Sequence, residues 1–186
     1  QALESYFSEE VARVTRLHEY YQGTFYYDGR EIDQILVMAD PEISEMFDFD
    51  VLYGNLKTSL EDPFKVALSD GVAQNIFGRL DVVGETLLTK APDFSRNYAV
   101  GAVYRDPNVL SAPATTVWMP MLAKIDDEYL TSIDDHFSSW ENYLLTQIFI
   151  ELKEGVDPDV LESKIPEFLK ASTKDIYKGG NGEYNY

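Results

Sequence analysis

Residues 68–85, LSDGVAQNIFGRLDVVGE, set Gly71, Gly78 and Gly84 behind a serine–aspartate pair, Ser69-Asp70. Glycines at a helix start can cradle a phosphate on bare backbone N–H groups. That chemistry needs a fixed spacing. The dinucleotide fingerprint is G-x-G-x-x-G, and the Walker loop ends in Lys-Ser or Lys-Thr after a glycine. Here the glycines stand seven and six residues apart, and no such lysine follows. The stretch therefore reads as helix punctuation. Ser69 is the cap, Val72, Ala73, Ile76 and Phe77 form the buried face, and Gly78 is the left-handed residue that ends the helix.

Other clusters fare no better as chemistry. Asp134 and Asp135 stand beside His136, but a metal site needs three or more converging ligands. His18 is the only other histidine. DPDVLE (157–162) and DDE (126–128) lack the alternating oxygen ligands and central glycine of a calcium loop. With 33 acidic residues, some carboxylate pair falls at glycosidase spacing by chance. No nucleophile elbow is present, and two histidines leave little room for a Ser-His-Asp site. No catalytic, cofactor-binding or metal-ligating residue is assigned. No cofactor is expected, and the chain reads as a non-enzyme. The aromatic residues Tyr20, Tyr21, Phe25, Tyr26 and Tyr27 could stack a sugar or a peptide. Neighbours on a strand face opposite ways, so at most half could line one surface. Core packing is the preferred use. A stand-alone sugar- or peptide-binding module with a Tyr/Phe-rich surface is the alternative.

These residues must be positioned by a succession of short elements. ALESYFSEEV (2–11) reads as a helical turn and VARVTRLHEYY (11–21) as a strand. GTFYYDGREIDQILVMA (23–39) is a hairpin about Asp28-Gly29. Asp40 is expected to cap a helix that Pro41 begins, with Ile43, Met46 and Phe47 on one face. A loop and the strand KVAL (65–68) follow. GETLLTK (84–90) and TTVWMPM (115–121) read as strands. NYAVGAVYRD (97–106) alternates, which puts Tyr98, Val100, Ala102 and Tyr104 on one face. DDEYLTSIDDHF (126–137) reads as a polar helix. YLLTQIFIELKEG (143–155) reads as a strand with Ile148, Ile150 and Leu152 on one face. Asp157 caps and Pro158 starts a last helix striped by Leu161, Ile165, Phe168 and Leu169, with a kink at Pro166. Strands broken by short helices predict α+β with a mostly antiparallel sheet.

Bulk composition bounds the function. The 186 residues, 45% of them hydrophobic, suffice for one domain or two small lobes. Thirteen tyrosines and ten phenylalanines argue against disorder. A net charge of −18 repels phosphate, so nucleic acid is excluded as a partner. The absence of cysteine removes disulfides, thiolate metal sites and thiol nucleophiles. The longest uncharged run, residues 109–123, has fifteen residues and two prolines. A spanning helix needs about 20. No leader-like segment opens the chain, and a start at Gln1 reads as a piece of a longer protein.

Residues 39–87 closely resemble part of the MacB-like periplasmic core domain of FtsX-like ABC transporter permeases. The matching features are Asp40-Pro41, Phe47, Leu52 to Gly54, Leu68-Ser69, Ala73, Phe77-Gly78 and Gly84. YAVGAVYRDP (98–107) and IFIELKEGVDPDVLESKI (148–165) resemble later parts of the same module. SEEVARVTRL (8–17) resembles its start, with Ser8 where proline is common. The resemblance implies a porter-like lobe plus a second, smaller lobe over residues 1–171; the sequence itself breaks near 92–115, and its glycine- and asparagine-rich end makes 172–186 a flexible tail. It implies a place on the periplasmic side of the inner membrane, between transmembrane helices of the same permease chain. A separate or fused cytoplasmic ATPase would drive it. A periplasmic adaptor or other protein is the implied partner, and a homodimer the implied form in the full transporter. The domain would couple ATP-driven helix motion to substrate or partner handling in the periplasm.

Overall fold

The computed structural model describes residues 2–91, 94–106, 116–121 and 146–172. The elements run α1 (Ala2–Tyr6), β1 (Val11–Tyr27), β2 (Arg30–Ala39), α2 (Ile43–Met46), β3 (Val51–Gly54), α3 (Leu56–Glu61), β4 (Lys65–Ser69) and α4 (Asp70–Phe77). They continue with β5 (Thr86–Ala91), β6 (Phe94–Tyr104), β7 (Thr116–Pro120), β8 (Thr146–Leu152) and α5 (Pro158–Ser172). The fold is α+β, as the sequence leads one to expect, with antiparallel β1–β2, β1–β5, β3–β6, β4–β7 and β5–β6 pairs and parallel β2–β7 and β4–β6 pairs among the described residues. The chain divides into two compact units, Gln1–Val14 with Phe149–Tyr186, and Thr15–Ile148. The division therefore falls inside β1 and β8. β6 runs over Phe94–Tyr104 within the larger unit.

In the larger unit β1 and β2 form the hairpin read from Asp28-Gly29, both at positive φ (47° and 73°). Two positive φ values in succession match the twist of the flanking strands. The pairings then close on themselves. β2 pairs with β7, β7 with β4, β4 with β6, β6 with β5, and β5 with β1. The last four residues of β2, Leu36–Ala39, are all buried, whereas Arg30–Ile35 are not. That is the segment where β7 joins the second edge of β2.

Two layers of side chains stabilise this unit. On one face α4 packs Val72, Ala73 and Ile76 against Val66, Leu68, Tyr98, Val100 and Val117. On the other, α3 lies against β4, β6 and β7 and buries Leu56, Ser59 and Leu60. β6 serves both layers because it bulges at Gly101. Val66 stands opposite Val100, and the next residue of β4, Ala67, stands opposite Ala102. An extra residue in one strand reverses the alternation beyond it. The expected single face of Tyr98, Val100, Ala102 and Tyr104 is thus corrected. Val103 joins Tyr98 and Val100 in the α4 layer, while Tyr104 packs with Phe49 and Trp118.

The Asp40 cap is also corrected. Helix α2 begins only at Ile43, follows Glu42, and has no side-chain cap. The Asp40 carboxylate is instead held by Arg16, with both oxygens 2.7 Å from guanidinium nitrogens. The Arg16 backbone N–H donates to it as well, at 3.0 Å. A two-pronged charged partner outcompetes the weak amides of a short helix. Of that helix's expected apolar face only Ile43 is buried, and Phe47 is 42% exposed.

The smaller unit joins α1, the start of β1, the end of β8 and α5. Phe7 and Phe168 are buried with ring centroids 5.3 Å apart, and Tyr6 meets both edge-on. The Lys153 backbone N–H donates to the Glu10 carbonyl at 2.8 Å. Lys164 of α5 pairs with the Glu10 carboxylate. Asp157 accepts from the Asp159 N–H at 3.1 Å, and Leu161 and Phe168 are the buried part of the expected stripe. The helix continues past Pro166 to Ser172. The polar helix expected at 126–137, and with it Asp134, Asp135 and His136, lies outside the described residues, as does the tail from 173. Among the described residues no helix is long and apolar enough to cross a membrane.

Candidate functional site: the capped helix of the larger unit

Helix α4 follows β4 directly, and its N-terminus is where an anion would bind if the glycines served that purpose. Its amides are already engaged. Ser69 is fully buried, and its hydroxyl oxygen accepts from the Val72 N–H at 3.3 Å. Asp70 turns its carboxylate back on the same turn. One oxygen accepts from the Gly71 N–H at 2.8 Å and from the Asp106 N–H at 3.1 Å. A negative charge thus occupies the positive end of the helix dipole, and a phosphate there would meet a like charge. Gly71 lies within the first turn of α4, and Gly84 carries φ 92° while its N–H donates to the Val100 carbonyl at 2.8 Å.

The other end of α4 is tied as firmly. Gly78 adopts φ 70° and ψ 8°, and its N–H donates to the Gln74 carbonyl. Arg30, from the β1–β2 hairpin, donates to the Ile76 carbonyl at 2.5 Å. A cation belongs at the negative end of a helix. Tyr27 and Phe77 meet edge to face, 4.5 Å between centroids. Phe77 is half-buried rather than fully buried, so the fourth expected core position lies at the rim of the layer. Arg30 escaped the sequence reading. Its role depends on a hairpin returning to a helix 46 residues away, and no local pattern reports that.

Three of the five hairpin aromatics have described side chains, and each is engaged. Phe25 is fully buried, Tyr27 is taken up by Phe77, and Tyr26 donates to Glu31, which raises its pKa above the ordinary 10.0. The side chains of Tyr20 and Tyr21 lie outside the described ones. His18 is buried in β1 opposite Met38. Among the described residues no three or more His, Asp or Glu side chains gather as metal ligands.

Residues of the domain itself thus engage both ends of α4. A family model described as the MacB-like periplasmic core domain matches residues 1–168. The chain belongs to this family. MacB-like domains are the periplasmic parts of ABC transporter permeases, a transporter class and not an enzyme class. No curated protein matches the chain.

Solved structures share the fold. A domain described as that of a permease protein from Porphyromonas gingivalis superposes with a TM-score of 0.70 at 21% identity, covering 90% of this chain and 72% of its own. The periplasmic region of MacB from Actinobacillus actinomycetemcomitans gives 0.64 at 14% identity, covering 97% and 82%. The extracellular domain of the noncanonic ABC-type transporter YknZ from Gram-positive bacteria gives 0.58 at 13% identity, covering 89% and 76%. At these identities the likeness speaks for the MacB-like architecture and for nothing finer.

Proposed function

We propose that this MacB-like domain is a mechanical part. It would stand on the periplasmic side of the inner membrane, between transmembrane helices of its own permease chain. It would carry their ATP-driven displacement to a partner or substrate there. The ATPase would be another domain or chain, and two copies would face each other in the full transporter. The observation that carries this reading is the bracing of α4 within the larger unit. Both helix ends are engaged by residues of the domain itself, which favours a body that moves as one piece. A ligand-driven clamp would instead leave such groups for its ligand.

These residues hold no cysteine, so a labelling test of location needs only the cysteines elsewhere in the full-length permease replaced. A single cysteine at exposed Gln74 of the full-length permease is expected to react in intact cells with a thiol reagent small enough for the outer membrane but barred from the inner one. The full-length chain is expected to carry an apolar span of about 20 residues on each side of this domain. Labelling only after the inner membrane is broken, or a full-length chain without such spans, would contradict the reading.

A further inference from the structure

Strand β3 lies at an edge of the sheet in the larger unit. Among the described residues it pairs with β6 alone, through Val51, Tyr53 and Gly54. The Val51 N–H is taken by the Phe49 carbonyl at 2.9 Å and the strand bulges between Val51 and Tyr53, so the edge offers its remaining N–H and C=O groups to an extended segment. Val51 is 36% and Tyr53 43% exposed, so apolar surface accompanies that edge. The stretch from Phe47 to Tyr53 holds two carboxylates, Asp48 and Asp50, and no basic residue. Asp50 pairs with Arg105 at 2.7 Å, while Asp48 is exposed and has no ion-pair partner among the described residues.

Charge decides which chain fits. A second copy brings the same acidic edge on a molecule of net charge −18, so self-pairing is opposed. We propose that β3 takes up an extended basic segment of another protein, which adds a strand to this sheet with its lysines or arginines against Asp48. Backbone bonds would give the affinity and the carboxylate the choice of partner. The proposal gives the mechanical reading a partner of stated chemistry. It stands on the edge alone, so its failure leaves the labelling test at Gln74 untouched.

The test uses the intact domain and three labelled peptides of about six residues, a usual strand length. One alternates lysine with valine, one alternates glutamate with valine, and one is the lysine peptide with every backbone amide N-methylated. Fluorescence anisotropy should show the first binding and the other two at least about tenfold weaker. Asp48→Lys should weaken the lysine peptide by about tenfold, and its far-UV spectrum should match the parent's. Amide exchange over 51–54 should slow in the complex while exchange in α4 does not change. No binding by the lysine peptide, equal binding by its methylated form, protection elsewhere, or self-association through residues 51–54 would each overturn the proposal.

Discussion

At the residue scale, two glycines separate backbone strain from crowding. A Cβ added at Gly78 meets nothing within 4 Å, so a substitution there is penalised only by its left-handed φ. Gly78→Val should cost about 1–2 kcal/mol, and Gly78→Asn less, because asparagine tolerates that region. A Cβ at Gly101, which is not left-handed, would overlap the Ser59 side chain. Gly101→Ala should therefore cost about 1–3 kcal/mol as overpacking. Ser59→Gly added to it should recover part of that loss, which urea unfolding of the double-mutant cycle would read. Phe77→Ala should cost about 2 kcal/mol, below the ~3–5 of a fully buried phenylalanine, because the ring is half-buried. The caps at Ser69 and Gly78 were legible because they act on amides a few residues away. Asp40 misled because its partner, Arg16, lies on another strand 24 residues earlier.

At the element scale, the long strands, α4 and α5 could be read from period and caps, and α3 could not. Its signal was present, since Asn55 accepts from the Thr58 N–H at 2.9 Å and Leu56 and Leu60 are buried on one side. Six residues are too few for a helical period to outweigh neighbouring loop signals. The bulge in β6 was hidden for a different reason. Glycine at 101 is compatible with an unbroken strand, and only the helix lying on it shows why no side chain fits. The smaller unit carries a pH dependence of its own. The hydrogen bond from Lys164, and then its charge, hold Glu10 below its ordinary value of 4.5. A depressed folded pKa gives stability that is present above the unfolded value and lost as pH falls through the folded one. Glu10→Gln should therefore lower the melting temperature slightly near neutrality, where the pair contributes, and flatten the acid limb below about pH 4.5, so that variant and parent converge at low pH. An unchanged acid limb would show that this pair does not tie α5 to residue 10.

At the scale of the whole molecule, the family was legible from its punctuation, the Asp-Pro turn, the capped helix and the glycine after it. Strand order was not. Parallel pairs such as β2–β7 join segments about 80 residues apart, Ile35 to Thr116, and alternation says which face is buried but not which strand lies beside it. The closed circuit of pairings is nonetheless what makes the larger unit a candidate for motion without deformation. The most direct measurement is pulsed EPR on the full-length permease with its ATPase. Spin labels would stand at exposed Gln74 and Thr86 of the larger unit, and a third on a flanking membrane helix. The prediction is that the Gln74–Thr86 distance stays the same with and without ATP while the distance from Gln74 to the membrane helix changes. A shift within the pair, or no change relative to the membrane helix, would contradict the account.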